Sequence, residues 1–439
     1  MNDPKPVFNS ANSQISIMTY DIECYIGNLP TEVLLFIFSL LSAQDLTACR
    51  RVCSRWKMIV DGMSRSDHLW RLHCRRDFRN IYKIARIKAR PGVLWFHIYR
   101  SLSLWSKLPQ ARERRDEFAA ASGISEEIQN FKILRDGTIG VHKKGAIEYY
   151  DIDTLEKSKR SSITGDYLRY TENDDYIIIL SYHLHLFIIR KAIQNPKYET
   201  NVTFDNVKSF ILAKNKVYYV TLEDQIYVCP LEDGGLRERY ITNSSDGVMC
   251  LGFTDMLHVL TFQRNIYTVV NDNDLHFTCS IDSDSNLLHQ LREYNFLERM
   301  DWRVYIQWMY VLNHTIPEGP LRDIVVVRVY GDVAFVGSNW GVLRIYYAPY
   351  TGDAEFDLFN SEPVKQYNFM ERYDCPVLSM CPIIQIDVME GEAGHTVIVA
   401  MPKKIAVLEF THSFKRTASV AMLPYSDTQK VKVLKIDDH

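Results

Sequence analysis

The sequence predicts a multidomain chain: a small all-α unit near its start, a helical linker, and a large all-β domain assembled from repeated strand pairs. Three observations predict it. From Val33 to Leu41 nearly every position is apolar, so a helix there needs cover on more than one side. From about Ile124 the pattern changes to short β-type runs separated by turn residues. Strand pairs then recur about every forty residues, around Ile147, Phe187, Ile226, Ile266, Tyr305 and Leu343, with another near Ile405 after an insertion.

Residues 1–27 are polar and weakly periodic, and are expected to form a flexible tail. Leu29 and Pro30 open the first helix, since proline's missing N–H costs nothing in a first turn and Glu32 suits the positive end of the helix dipole. Ser42 to Asp45 reads as a turn with an acidic cap. Leu46, Cys49, Val52, Cys53 and Trp56, spaced by three and four, predict one face of a second helix. Leu69, Trp70, Leu72 and Phe78 form a third apolar cluster. Three short helices over some fifty residues bury too little surface to stand alone, so a partner is implied. Each large side chain buried contributes roughly 1.5–3 kcal/mol, so half a dozen anchors support a tight complex even after the entropy of association.

The run Leu29-Pro30-Thr31-Glu32-Val33-Leu34-Leu35-Phe36-Ile37-Phe38-Ser39-Leu40-Leu41, followed by Asp45-Leu46, Cys49, Val52-Cys53 and Trp56, resembles an F-box. The resemblance places an F-box domain at 28–78. It implies a docking surface rather than a catalyst, because F-boxes bind the Skp-type adaptor that links a substrate receptor to a cullin ubiquitin ligase. Carried over position by position, it assigns adaptor binding to Leu29, Pro30, Val33, Leu34, Ile37, Phe38, Leu41, Leu46, Cys49, Val52 and Trp56. Ser54 stands where many F-boxes carry a basic residue, with Arg55 beside it.

Residues 79–123 carry a helical pattern through Ile81, Ile84, Ile87, Trp95, Ile98, Leu102, Trp105 and Leu108, punctuated by Pro91-Gly92, and predict a linker that sets the angle between its neighbours. The chain as a whole is near neutral, yet residues 50–115 hold eighteen Lys/Arg against four Asp/Glu. Arg75, Arg76, Arg79, Lys83, Arg86, Lys88 and Arg90 read as a solvated charged face in preference to a nucleic-acid or lipid surface.

Residues 124–435 are expected to form a β-propeller. Val217 to Val228 and Val333 to Tyr346 share one grammar of apolar strand, polar turn, apolar strand, which at this period is that of a propeller blade; a pair of β-sandwiches is the alternative. Seven strand pairs favour seven blades, with six possible. The copies resemble degenerate WD-type repeats: Tyr150-Asp151 and Tyr346-Tyr347 sit where such repeats end in Trp-Asp, and Asp136-Gly137 and Asn339-Trp340-Gly341 fit the turns. The fifth blade, Asn286 to His314, is the weakest because Leu288 to Met300 also suits a helix. Residues 351–395 read as an excursion with an exposed acidic stretch.

Composition bounds the remaining possibilities. The chain has 439 residues, 46% hydrophobic and 12% aromatic, enough for sizeable cores. Nine scattered cysteines form no CxxC pair, which argues against a disulfide framework or zinc site and for a reducing compartment. Sequons at Asn201, Asn243 and Asn313 would matter only in a secreted protein. No leader or long apolar span is apparent, so a cytoplasmic or nuclear setting is expected. His183 and His185 share a strand face, but no third ligand follows at metal spacing. No phosphate loop, nucleophile elbow or HExxH occurs, and Asp174-Asp175, Asp272 and Asp274 fall in turns, so no catalytic residue, metal or cofactor is expected. Arg264, Arg303 and Arg344 lie in or beside blade turns, where an acidic or phosphorylated target segment would meet them. The sequence thus points to a substrate-recognition subunit of a Skp–cullin–F-box ligase, non-catalytic, with no membrane and no nucleic-acid partner. The alternative is an interaction scaffold using the same F-box outside ubiquitin transfer.

Overall fold

A computed structural model describes residues 29–121, 126–191, 199–213, 215–231, 236–253, 255–270, 274–281, 324–349, 356, 361–370 and 381–412. The expected tail at 1–27, the fifth strand pair around Tyr305 and Arg303 lie outside them. The chain divides into two units, residues 1–73 and 74–439.

In the first unit Pro30 is the N-cap of helix α1 (Thr31–Ser39), its carbonyl accepting from the N–H groups of Val33 and Leu34 at 3.1 Å each. Ser42 caps α2 (Ala43–Cys49): its Oγ accepts from the N–H of Asp45 at 3.1 Å and donates to that residue's carboxylate at 2.6 Å. The single helix expected through Leu46 and Trp56 is broken. α2 stops at Cys49, Cys53 is extended with φ −155°, and its sulfur caps α3 (Ser54–Met63) through the N–H of Trp56. Leu46 and Trp56 therefore stand on different helices. Leu69 and Trp70 on α4 (Asp67–Asp77) complete a core with Leu34, Phe38, Leu46, Ile59, Val60 and Met63. The Trp70 indole donates to the carbonyl of Met63 at 3.0 Å, which satisfies its one polar atom.

The second unit is all-β after its first helices, α5 (Tyr82–Lys88), α6 (Trp95–Leu104) and a 3-10 turn at Trp105–Gln110. Six four-stranded antiparallel sheets follow among the described residues. Sheet I holds β2 (Ile128–Ile133), β3 (Thr138–Lys143), β4 (Ala146–Asp151) and β5 (Ile163–Thr164). Sheet II holds β6 (Tyr167–Glu172), β7 (Tyr176–Ser181), β8 (Leu186–Arg190) and β9 (Glu199–Phe204). Sheet III holds β10 (Val207–Ala213), β11 (Lys216–Thr221), β12 (Gln225–Pro230) and β13 (Arg239–Asn243), and sheet IV holds β14 (Val248–Phe253), β15 (Leu257–Thr261), β16 (Asn265–Val270) and β17 (Asp274–Ser280). Sheet V holds β18 (Ile324–Tyr330), β19 (Val333–Ser338), β20 (Val342–Tyr347) and β21 (Lys365–Asn368). Sheet VI holds β22 (Gln385–Glu390), β23 (Gly394–Ala400), β24 (Lys404–Thr411) and, at its outer edge, β1 (Arg112–Ala119).

Each sheet shares a hydrophobic cluster with the next. Ile179 of sheet II belongs to one cluster with Ile147 of sheet I, Phe210 of sheet III to one with Ile188 of sheet II, and Val248 of sheet IV to one with Val220 of sheet III. Leu260 of sheet IV shares a cluster with Val336 of sheet V, Val388 of sheet VI with Phe335 of sheet V, and Ile398 of sheet VI with Val141 of sheet I. Among the described residues the six sheets form a closed succession, a β-propeller; the seventh pair counted in the sequence, around Tyr305, lies outside them. The six repeat centres Ile147, Phe187, Ile226, Ile266, Leu343 and Ile405 all fall on the third strand of their sheets. The first strands form the inner wall, where β2 packs on β6, β10 on β14 and β18 on β22.

Residues 112–119 depart from the helical pattern read over 79–123. β1 pairs antiparallel with β24 from Arg112↔Thr411 to Ala119↔Lys404, so the first and last strands of this unit close one sheet. Its sequence, RERRDEFA, shows neither helical nor strand periodicity in its apolar residues because it lies outermost and exposed. Glu117 pairs with Lys404 of the neighbouring β24 at 2.9 Å, and Glu113 reaches Lys365 of sheet V at 2.7 Å.

Candidate docking surfaces

On α1 only Leu34 and Phe38, one turn apart, face inward. The rest of the helix surface carries Val33, Leu35, Phe36, Ile37 and Leu40, all exposed, Phe36 at 66% and Leu40 at 69%. A helix apolar all round but covered on one side leaves a partner's contact surface uncovered. Beside it, Leu35 and Leu40 of α1, Met58 and Met63 of α3 and Leu69 and Leu72 of α4 line a groove of about 1020 Å³.

The residues read from the sequence as adaptor-binding divide. Val33, Ile37, Val52 and Pro30 are exposed, while Leu29, Leu41, Cys49 and Trp56 are half-buried. Leu34, Phe38 and Leu46 are buried and hold the unit together; Phe38 meets Trp56 edge-to-face at 5.0 Å. They stand inside because i and i+4 on a short helix share one face, and the core took that face. Leu35, Phe36, Leu40, Met58 and Leu72, outside that set, are exposed as well, the first three inside the apolar run. Arg55, next to the atypical Ser54, donates to the Leu29 carbonyl at 2.5 Å and ties α3 to the start of α1.

In the second unit the basic linker residues are not simply solvated. Lys88 pairs with buried Asp387, which Arg328 also approaches at 3.5 Å; Arg90 meets Asp153 at 2.7 Å and Lys83 meets Asp255 at 2.8 Å. Burial would push the Asp387 carboxyl up, but the Lys88 and Arg328 charges hold it down at about 2. Glu390, buried at the end of β22, accepts from the Trp105 indole at 3.0 Å and from Ser101, and its other contact is His395 Nδ1 at 2.8 Å. Trp105 stacks on His395 with centroids 3.8 Å apart. Serine, histidine and carboxylate meet here, but Ser101 and Glu390 share the same imidazole nitrogen and all three are buried, so the cluster is a clamp and not a nucleophile relay.

These contacts put α5 and α6 on the face that carries the turns between first and second strands: Ile81 lies 3.4 Å from the Cβ position of Gly331 in the β18–β19 turn. The opposite face carries the turns between second and third strands, and four of these repeat one design. In Ser181–Leu184, Thr221–Asp224, Thr261–Arg264 and Ser338–Gly341 the first carbonyl accepts the fourth N–H at 3.0–3.3 Å. The fourth residue has φ between 62° and 73°, and the first hydroxyl accepts the next N–H. The second residue of three of them, Tyr182, Leu222 and Phe262, lies more than half exposed at an interval of forty residues.

Other sequence candidates stay apart. His185 contacts Asp205 at 2.6 Å and Asp174 pairs with Arg135 at 2.9 Å. Among the described residues no three His, Cys, Asp or Glu converge as metal ligands, and no helix is long and apolar enough to cross a membrane. Tyr150-Asp151 ends β4, with the Asp151 carboxylate accepting the N–H groups of Asp153 and Thr154 at 2.9 and 2.8 Å.

A family model described as F-box-like matches residues 26–76, so an F-box-like domain precedes the propeller. Among the solved structures, the N-terminal domain of Nup159 is similar at 8% identity and TM-score 0.40 over 69% of this chain and 97% of that one. The β-propeller domain of Myceliophteria thermophila Cps50 (Swd1) is similar at 10% identity and TM-score 0.34 over 65% and 82%. Kluyveromyces lactis Hsv2 follows at 13% identity and TM-score 0.28 over 63% and 71%. No curated protein matches the sequence. An F-box-like domain joined to a propeller fits a non-catalytic interaction protein.

Proposed function

We propose that this chain is the substrate-recognition subunit of a Skp–cullin–F-box ubiquitin ligase, its F-box-like unit docking the adaptor and its propeller holding a protein target. The observation that carries this reading is the outward half of α1, five large apolar side chains beside an apolar groove, on a unit whose family in general binds Skp-type adaptors. The adaptor contacts are Leu29, Pro30, Val33, Ile37, Leu41, Cys49, Val52 and Trp56 together with Leu35, Phe36, Leu40 and Met58. Leu34, Phe38 and Leu46 act indirectly, by shaping the surface. Chemistry belongs to the partners; this chain supplies proximity, which turns a rare encounter with the loaded enzyme into an effectively intramolecular one. The setting is cytoplasmic or nuclear. Binding of purified Skp-type adaptor to the full chain and to a Phe36→Ser/Leu40→Ser variant tests it: the wild type should bind tightly and the variant should lose at least about tenfold in affinity. No binding by the wild type ends the proposal. A target whose half-life is unchanged when the F-box is disabled would favour the scaffold reading instead.

A further inference from the structure

Arg169 is the third residue of β6, an inner strand. At this point β6 bulges: Tyr167 pairs with Ser181 and Arg169 with Leu180, which leaves Leu168 unpaired and 43% exposed. The same shift recurs at Ile128/Asn130, Val207/Ser209, Val248/Cys250 and Ile324/Val326, so the third residues of five inner strands come to one level of the ring. That level adjoins the face bearing Tyr182, Leu222 and Phe262, because Ser181, Thr221 and Thr261, which pair with the residues just before the bulges, lead directly into their turns.

The guanidinium of Arg169 reaches away from its own sheet. It donates one long hydrogen bond, 3.4 Å, to Ser209 Oγ in sheet III and lies 5.4 Å from the Phe210 ring. Reaching from one inner strand to the inner strand of the next sheet, it lies beside the ring's central opening. Among the described residues no carboxylate pairs with it, whereas its neighbour at the same mouth, Lys208, is paired with Asp224. Burial among these neighbours pulls its pKa below the usual guanidinium range. On the same side of three consecutive sheets, Leu168, Tyr182, Leu222 and Phe262 are exposed.

We infer that this mouth binds a protein segment carrying one carboxylate flanked by large apolar side chains, the carboxylate entering to Arg169 and Ser209 and the apolar flanks resting on Tyr182, Leu222 and Phe262. A single uncompensated cation matches a monoanion; a phosphate dianion would leave a second charge unpaired in an enclosed site. The inference rests on the propeller being the target-binding part of the chain, and names the chemistry it reads.

The test is selection of peptides from a random twelve-residue display library on the immobilised full chain, followed by affinity measurements with the synthetic winners. Winners should share an Asp, a Glu or a free C-terminus flanked by apolar residues. They should bind Arg169→Met and Leu222→Ser/Phe262→Ser at least about tenfold more weakly, with Arg169→Lys recovering part of the loss. The Leu222/Phe262 pair is exposed, so its loss cannot be ascribed to unfolding, and thermal melting of each variant checks the fold. No enrichment, winners without an acid, or equal binding by the variants would overturn the inference. Peptides that gain affinity when phosphorylated at the acidic position would overturn the monoanion assignment. Adaptor affinity measured on the same samples separates this failure from failure of the ligase reading, since the substitutions lie in the other unit.

Discussion

Leu34 and Phe38 belong to the same apolar run as Phe36 and Leu40, yet the two pairs have opposite duties, and substitution separates them. Leu34→Ala removes a fully buried side chain and should destabilise the first unit by roughly 2–5 kcal/mol, seen as lost hydrogen-exchange protection across α1. Phe36→Ser should change that protection by about 0.5 kcal/mol or less while weakening adaptor binding. Finding the reverse would reassign the surface. In the propeller, His142 is fully buried with Asn130 against its Nδ1 at 3.1 Å, and burial lowers its pKa to about 4. An unfolded histidine titrates near pH 6.5. Between pH 6.5 and 4 the unfolded chain therefore takes up a proton that the folded one refuses, and stability should fall as pH drops through this window. The melting temperature of His142→Gln should depend less steeply on pH there than that of the wild type.

At the scale of elements, two attachments decide whether the propeller is a closed and oriented body. β1 supplies the outer strand of sheet VI from the other end of the unit, and a chain beginning at residue 120 would leave β24 an open edge. Such a truncation should melt lower and associate through that edge, visible as concentration-dependent size in sedimentation. The linker helices are held by the pairs at Asp387 and by the Glu390 cluster. Lys88→Met leaves Asp387 buried with Arg328 as its remaining cation, and should cost roughly 3–5 kcal/mol and release α5, read as exchange of its amide protons. Unaltered exchange would show that apolar packing through Ile81 and Ala85 suffices. The helices 82–104 were legible because their apolar spacing is local. The strand 112–119 was not, because an exposed outer strand carries no alternating apolar pattern and is specified by its partner's free edge.

For the whole molecule, the linker helices occupy one propeller face, and the four like-built turns display their tips on the other. A target should thus be lost on substitution of the tips but not of linker residues such as Lys83; retention of target by both variants would move the site to the outer rim. The sequence by itself determined the order of helical and β parts, the apolar run at 29–41 and the forty-residue period of the strand pairs. These follow from side-chain periodicity over a few turns or one hairpin, which neighbouring residues set. Only the tertiary structure decided which apolar side chains of α1 are core and which are surface, that sheet VI closes through Arg112 beside Thr411, and that Arg169 of sheet II reaches Ser209 of sheet III. Those depend on which distant segments come to lie side by side, and no local pattern encodes the residue that will be a neighbour three hundred positions away.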